Sequence, residues 1–251
     1  MNAELLSMKT GAELALAEAY AAAKAKLPGD GKVAALREAA FKQFDAAGLP
    51  SWRVEQWHYT DLRGLLRDVR PLAGAPDAAA KARAKDAGRL VGDIDVQRVV
   101  FVDGVFAPEL SDMDKLSPGL SICSMAQALA SGNPLVTANL GKVVPAEREG
   151  VIALNTALMS DGVIIHVAKG ATVEHPIHLV FAATGDKPAS VFTRSLVVIE
   201  QGARAMIVES HEAAAAHQVN TAIELVIGDK AHVDHIKITA GPDDLVHVAS
   251  L

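Results

Sequence analysis

"IHVAKGATV", Ile165 to Val173, is followed 32 residues later by "VVIEQGARA", Val197 to Ala205, and 28 residues after that by "LVIGDKAHV", Leu225 to Val233. Each copy spaces apolar residues two apart and turns tightly at Gly170, Gly202 or Gly228-Asp229. An alanine follows at the same place: Ala171, Ala203 or Ala231. Alternation at period two marks a strand with one buried face. A strand–turn–strand unit that recurs in this way cannot bury its inner face alone and must stack on copies of itself. An antiparallel sandwich also has short alternating strands, but the small residue after every turn favours stacking. The repeat therefore predicts a β-helix or β-solenoid. Its rungs exceed the roughly 18 residues of three hexapeptide repeats, which disfavours the acyltransferase type.

Upstream, "VQRVVFVDGVFAPELS" (Val96 to Ser111) reads as a hairpin turning at Asp103-Gly104. The interlude after it runs to Gly150. Within it, "SPGLSICSMAQALASGNP" predicts a short helix containing Cys123, ended by Gly132 and Pro134. Residues 1–90 follow helical rules. "GAELALAEAYAAAKAKL" and "GKVAALREAAFKQFDAAGL" are rich in good helix formers, and Leu36, Ala40 and Phe44 mark a buried stripe at four-residue steps. "LPGDG" and "GLPS" supply the stops. "PLAGAPDAAAKARAKDAGRL" reads as a loose connection or a short surface helix. The expected class is α+β, with an N-terminal helical domain and linker over residues 1–90. A β-rich domain of stacked rungs comes next, over 91–251.

The chain has 251 residues, half of them hydrophobic, enough for a sizeable core. Its formal charge of −6 argues against sequence-independent attraction to nucleic acid or anionic membranes. No apolar run approaches the roughly 20 residues of a membrane helix. "MNAELLSMKTGAELA" lacks the basic region and apolar core of a secretory signal. Cys123 is the lone cysteine, so no internal disulfide forms, and a cytoplasmic setting is expected.

Eight of the nine histidines lie at or after His166, which raises a metal site. His175 and His235 each sit four residues past a marker alanine, with Ile207 on the intervening rung. Two rungs put them on the order of 10 Å apart, too far for ligands each ~2 Å from one ion. Glu174 and Asp234 match in the same way, with Met206 between. His232, Asp234 and His235 are close in sequence, yet adjacent strand residues point to opposite faces. His211 and His217 flank the alanine-rich "EAAAA", read as a surface excursion. Outward-facing polar residues are the favoured reading, and no metal ligand is assigned. Cys123 has no basic neighbour in sequence, and Ser160-Asp161-Gly162 and Ser210-His211-Glu212 are adjacent only in sequence, which does not make a triad. Neither a GxxxxGK[ST] loop nor a GxGxxG after a strand is present. No catalytic or cofactor-binding residue is assigned.

Both tryptophans and one of the two tyrosines fall within "SWRVEQWHYTDL", Ser51 to Leu62. "GLPSWRVEQWHYTDLRGLL" resembles the N-terminal signature of the SufB/SufD family of the SUF iron–sulfur cluster assembly system. That pattern is Gly-x-Pro, then Arg-x-Glu-x-Trp, then Tyr-Thr-x-Leu. Arg53, Glu55, Trp57, Tyr59, Thr60 and Leu62 match it in order. "FVDGVFAPELS", "ALNTAL", "DGVIIHVAKGATVEHPIHLVF" and "RSLVVIEQGARAMIVESH" are similar to successive segments of the family's β-helix, so the likeness runs from Gly48 to the end. The aromatic cluster is then expected to clasp the helical domain to the chain beyond its exit. Trp57 and Tyr59 would be buried, with Arg53 and Glu55 fixing the turn. A partner-binding hot spot is the competing reading.

The resemblance implies a non-enzymatic scaffold subunit acting with a SufB-like β-helix subunit and a SufC-like ATPase. One cysteine cannot hold a conventional cluster, so the iron–sulfur cluster is expected to be handled by the complex and no cofactor by this chain alone. Family members are longer. The SufC-docking domain, the SufB-facing strands and the implicated histidine- and cysteine-bearing region would fall beyond Leu251, so no site residue carries over. The bare last rung predicts a fragment, or a truncated chain covered by another subunit. The alternatives are a β-helix enzyme acting on carbohydrate and a non-functional remnant.

Overall fold

The computed structural model describes residues 9–29 and 31–251. Helix α1 (Gly11–Ala23) starts at a capping box: the Thr10 hydroxyl accepts from Glu13 N at 3.2 Å, and the Glu13 carboxylate accepts from Thr10 N at 2.6 Å. Its other oxygen accepts from Leu49 N at 2.8 Å, tying the start of α1 to the exit of α2 (Lys32–Ala47). Along the predicted stripe of α2, Ala40 and Phe44 are buried and Leu36 is half-buried. Phe41 stacks on Tyr20 of α1 with ring centroids 4.2 Å apart. Gly48 ends α2 with φ +71°, as the "GLPS" stop predicts.

Two short helices, α3 (Leu62–Leu65) and α4 (Ala78–Arg83), come next. Of the two readings of the alanine-rich segment, the short surface helix holds and the loose connection does not. The segment forms α4 and a 3₁₀ turn, and Ala80 and Ala84 are buried against Val100, Val102, Val180 and Ala182. Methyl-sized side chains let the helix lie close to the strands beneath.

Strands β1 (Gln97–Val102) and β2 (Val105–Phe106) form the predicted antiparallel hairpin, with Asp103 and Gly104 both at positive φ. Cys123 is on a strand, β3 (Leu120–Ser124), and not in a helix as expected from the sequence. The helix α5 (Met125–Ser131) begins only after Ser124, whose hydroxyl accepts from Gln127 N. Gly132 does end it, in the left-handed conformation. Pro134, however, opens a new helix, α6 (Pro134–Asn139), because a missing N–H costs nothing at the first helical position. Helix α7 (Gly150–Leu158) is buried at all nine positions. It fits tightly against the end of α2: a Cβ on Gly150 would come within 2.2 Å of the Gly48 carbonyl oxygen. Arg37 of α2 reaches the far end of α7, donating to the carbonyls of Ala157 and Met159 at 3.2 and 2.8 Å. A cation there complements the helix dipole.

From Val163 the chain winds as a solenoid. The strands are β4 (Val163–Val167), β5 (Ile177–Ala183), β6 (Ser190–Ile199), β7 (Arg204–Ala213), β8 (Gln218–Ile227), β9 (His232–Ala240) and β10 (Val246–Ser250). Successive strands alternate between two five-stranded sheets, ordered β2-β1-β5-β7-β9 and β10-β8-β6-β4-β3. All pairings are parallel except β1–β2 and β3–β4. Three turns and the first strand of a fourth result.

The marker alanines stack. Arg204 N donates to Ala171 O and His232 N to Ala203 O, each at 2.9 Å. Gly170 and Gly202 occupy the left-handed position before the alanine at φ +70° and +69°, and at the third turn that position is Lys230 at φ +59°. The rungs are not uniform, however. Thr172 lies over Arg204, yet Ile177 lies over Ile207, so the first rung carries two extra residues within Val173 to Pro176.

Between the sheets, Val99, Phe101, Ile165, Ile177, Leu179, Phe181, Val197 and Ile199 form the dry core of the early turns. The outer face of the second sheet is covered by α7, α5 and α6. Arg194 and Glu224 meet there, both completely buried, with Nε 2.9 Å from Oε1.

Candidate functional site

Parallel stacking puts equivalent residues of successive rungs directly over one another, and three inward-facing columns change character toward the last turns. One column runs Val99, Leu179, Glu209, Lys237. The next runs Phe101, Phe181, His211, Thr239, and the third continues Ile177, Ile207, His235. The apolar interior thus gives way to a carboxylate, two imidazoles and an ammonium. From the facing sheet β10 adds His247, whose ring lies 4.4 Å from that of His211 and whose Nε2 is 3.2 Å from Thr221 Oγ1.

Glu209 is the hub. Its Oε2 is 2.9 Å from His211 Nε2 and its Oε1 is 2.5 Å from His235 Nε2. Burial pushes the Glu209 carboxyl upward, but the hydrogen bonds from His211 and His235, together with the charges of His211 and Lys237, outweigh it and hold the group down to about 2. An ionised carboxylate only accepts, so both imidazoles present an Nε2–H to it. His211 Nδ1 takes no part in that contact. Its ring is sandwiched, parallel to Phe181 at 4.5 Å, and Phe181 stacks on Phe101 at 4.5 Å. Burial depresses the basicity of His211 and of Lys237, and it takes His247 down to about 3, helped by the nearby charges of His211 and Lys237. The Glu209 carboxylate with His211 and His235 on its two oxygens, and His247 against the His211 ring, forms a hydrogen-bonding cluster at the last turns of the tube. Among the described residues, no group of three or more His, Cys, Asp or Glu is arranged to hold a metal ion.

The outward-facing reading of the histidines is corrected here. His211 and His217 are both buried. His217 Nδ1 accepts from Ala189 N and its Nε2 donates to the Gly185 carbonyl, each at 3.1 Å, pinning the start of β8. His178, also buried, lies 2.9 Å from Ser210 Oγ on the outer face of its sheet and is lowered to about 4 by burial and the charge of Arg98. The predicted match of His175 with His235, and of Glu174 with Asp234, fails because of the two extra residues in the first rung. His235 stacks on Ile207, and Ile207 on Ile177. His175 is exposed beside Asp95 at 3.4 Å, and Glu174, His232 and Asp234 are exposed.

The aromatic signature splits. Trp57 is half-buried, donates from Nε1 to Glu149 Oε2 at 2.7 Å, and packs on the cluster that holds Phe44, Leu49 and Leu62. Since Glu149 immediately precedes α7, Trp57 does clasp the helical layer to the segment beyond. Tyr59 does not take part: it is 97% exposed, with the His58 ring edge against it at 4.9 Å. Arg53, Glu55 and Thr60 are exposed as well. The Arg53 guanidinium lies 5.5 Å from the Trp52 ring centroid, and backbone bonds such as Trp57 N to Val54 O and Thr60 N to Trp57 O, both 2.8 Å, fix the turn.

Sequence reasoning missed Glu209, Lys237 and His247 entirely. The signal was present as a break in alternation, since "MIVESHEA" and "VDHIKIT" carry polar residues at inward positions where the earlier rung has "IHLVFAA".

Residues 16–179 match the family described as the SufBD protein N-terminal region, and residues 181–251 match the SUF system FeS cluster assembly SufBD core domain. The chain is 28% identical over 225 residues to the iron–sulfur cluster assembly SufBD family protein slr0076 of Synechocystis, covering 85% of this chain and 49% of that protein. It is 25% identical over 203 residues to the iron–sulfur cluster assembly protein SufD of Escherichia coli, covering 78% of this chain and 44% of that one. The Arabidopsis thaliana SufBD family protein ABCI9 is 31% identical over 107 residues, 41% of this chain and 23% of the relative. The chain therefore spans about half the length, or less, of the curated relatives it matches. Since the two family matches adjoin one another across a helical layer and a parallel solenoid, this chain belongs to the SufB/SufD family of SUF iron–sulfur cluster assembly proteins.

Proposed function

We propose that this chain is a SufD-type accessory subunit of a cytoplasmic SUF assembly complex, acting with a SufB-like solenoid subunit and a SufC-like ATPase. Its role is to scaffold, and the iron–sulfur cluster is handled by the complex rather than held by this chain. The observation that carries the reading is the pair of consecutive family matches over residues 16–251.

Two features of the molecule support it. Conventional clusters are held by several thiolates, and Cys123 is the chain's one cysteine. It sits half-buried on β3, where burial raises its thiol above the ordinary cysteine range, opposite to what a ready thiolate ligand needs. No helix of the described residues is long and apolar enough to cross a membrane.

Co-expression of this chain with the SufB-like and SufC-like proteins of the same source, one of them tagged, tests the proposal. A stable co-purifying complex that builds a cluster is expected. A folded chain that fails to join either protein would overturn it.

A further inference from the structure

β9 lies at the edge of one sheet, paired to β7, and β10 at the edge of the other, paired to β8. Every residue of β5 is buried, whereas no residue of β9 or β10 is. Val233 of β9 and Val246 and Val248 of β10 are half-buried against the two nearest cores. The turn that these strands make therefore has little apolar burial of its own, which is the mark of a segment that opens readily.

Polar contacts hold it instead. Glu209 Oε1 of β7 bonds His235 Nε2 of β9, and Thr221 Oγ1 of β8 lies 3.2 Å from His247 Nε2 of β10. The His247 ring packs at 4.4 Å on that of His211, which Glu209 holds through its other oxygen. One cluster thus spans β7, β8, β9 and β10. The charged and titratable groups facing His247 are its own members, His211 and Glu209 from β7 and Lys237 from β9. β8 offers the Thr221 hydroxyl, and β5 presents Phe181 to the ring of His211.

We propose that β9 and β10 form an acid-labile latch, a turn of the solenoid that opens as one unit, ahead of the turns above it, when acid protonates the cluster it covers. While the turn is closed, burial and the charges of His211 and Lys237 hold His247 below the ordinary imidazole range, and burial holds His211 down against the pull of Glu209. Opening returns both rings to water and to their ordinary basicity. The open turn then binds more protons than the closed one, so acid favours it from about pH 6.5 downward. Glu209, held down to about 2, is ionised in both forms at neutral pH and adds to the effect only below about pH 4.5. His178 stands apart, on the outer face of β5 against Gly88. The latch does not depend on the function proposed above.

Native-state hydrogen exchange on the full chain tests it, read as protection factors so that the acid dependence of the intrinsic rate divides out. Amides of β9 and β10 should be less protected than those of β5 and β6 throughout. They should also lose about tenfold or more of their protection between about pH 7.5 and about pH 5.5. Edges that merely fray would show no such loss. His247→Phe, which keeps a ring against His211, should remove about a tenfold share of it. Protection of β9 and β10 equal to that of β5 and β6, protection that acid leaves unchanged, or an undiminished loss in His247→Phe would each overturn the proposal.

Discussion

Arg194 and Glu224 form a completely buried ion pair on the outer face of the second sheet, and every arm of it is also tied to the helical layer. Arg194 donates to Asn155 Oδ1, Thr156 Oγ1 and the Val144 carbonyl, while Glu224 accepts from the backbone N–H groups of Gly141, Val143 and Val144. The pair therefore fastens α7 and the loop before it to neighbouring rungs.

Removing either partner strands the other charge, at a cost of about 3–5 kcal/mol. Glu224→Ala should be the worse, because it strands three N–H groups as well as the guanidinium. Arg194→Met leaves the carboxylate with three donors. Denaturant midpoints, read at unchanged slope, rank the two; a milder effect for Glu224→Ala would contradict this account.

Glu209 and His211 stand where the preceding rung has Leu179 and Phe181. His211→Phe alone extends the ring ladder but takes a donor from a buried carboxylate, and should destabilise by about 1–3 kcal/mol. Copying the earlier rung with Glu209→Leu and His211→Phe together should recover most of that loss, with a coupling of at least about 1 kcal/mol in a double-mutant cycle. Additive losses would show that the polar cluster is not one unit.

Acid should unfold the chain in stages. His247 and His178 are held neutral in the fold, at about 3 and about 4, against an ordinary 6.5. The unfolded chain then binds more protons, so stability falls as pH drops from about 6.5 toward those values, by up to ~1.4 kcal/mol per pH unit for each group. Glu209, at about 2 against an ordinary 4.5, adds a second loss below about pH 4.5. Thermal melts from about pH 7.5 to about 3.5 check the slope, and His247→Phe should flatten its upper part.

Trp57→Phe should cost about 1–2 kcal/mol by freeing Glu149 from its indole donor, whereas Tyr59→Ala should stay within about 0.5 kcal/mol. If Tyr59→Ala impairs assembly with partner proteins at unchanged stability, the exposed half of the signature is a recognition surface. Equal melting losses for the two would return Tyr59 to the clasp.

At the stacked turns, Lys230→Gly should stabilise and Gly202→Ala should destabilise, the latter by about 1–2 kcal/mol, because both positions need a left-handed backbone. Chemical denaturation of the two variants decides it.

The solenoid was legible because the alanine after each turn keeps its place from rung to rung, as Ala171, Ala203 and Ala231 do. Register within a rung was not, since the extra residues at Val173 to Pro176 leave the marker in phase and displace everything after it. Helix α7 was invisible for a different reason. Buried on all sides, "GVIALNTAL" has no polar face and so no stripe at period 3.6. The cluster around Glu209 was hidden by the assumption that charge faces water. Only the pairing of β7 with β5 and β9 reveals that those positions point inward.

The lengthened first rung also bears on how such tubes grow. Because neighbouring side chains on a strand take opposite sides, an even number of added residues keeps every later residue on its own side, and Val173 and Ile177 both still face the interior. A single added residue at the same spot would turn Ile177, Leu179 and Phe181 outward together. Loops of this solenoid can therefore lengthen by pairs at little cost, and an odd step there would turn the wall inside out.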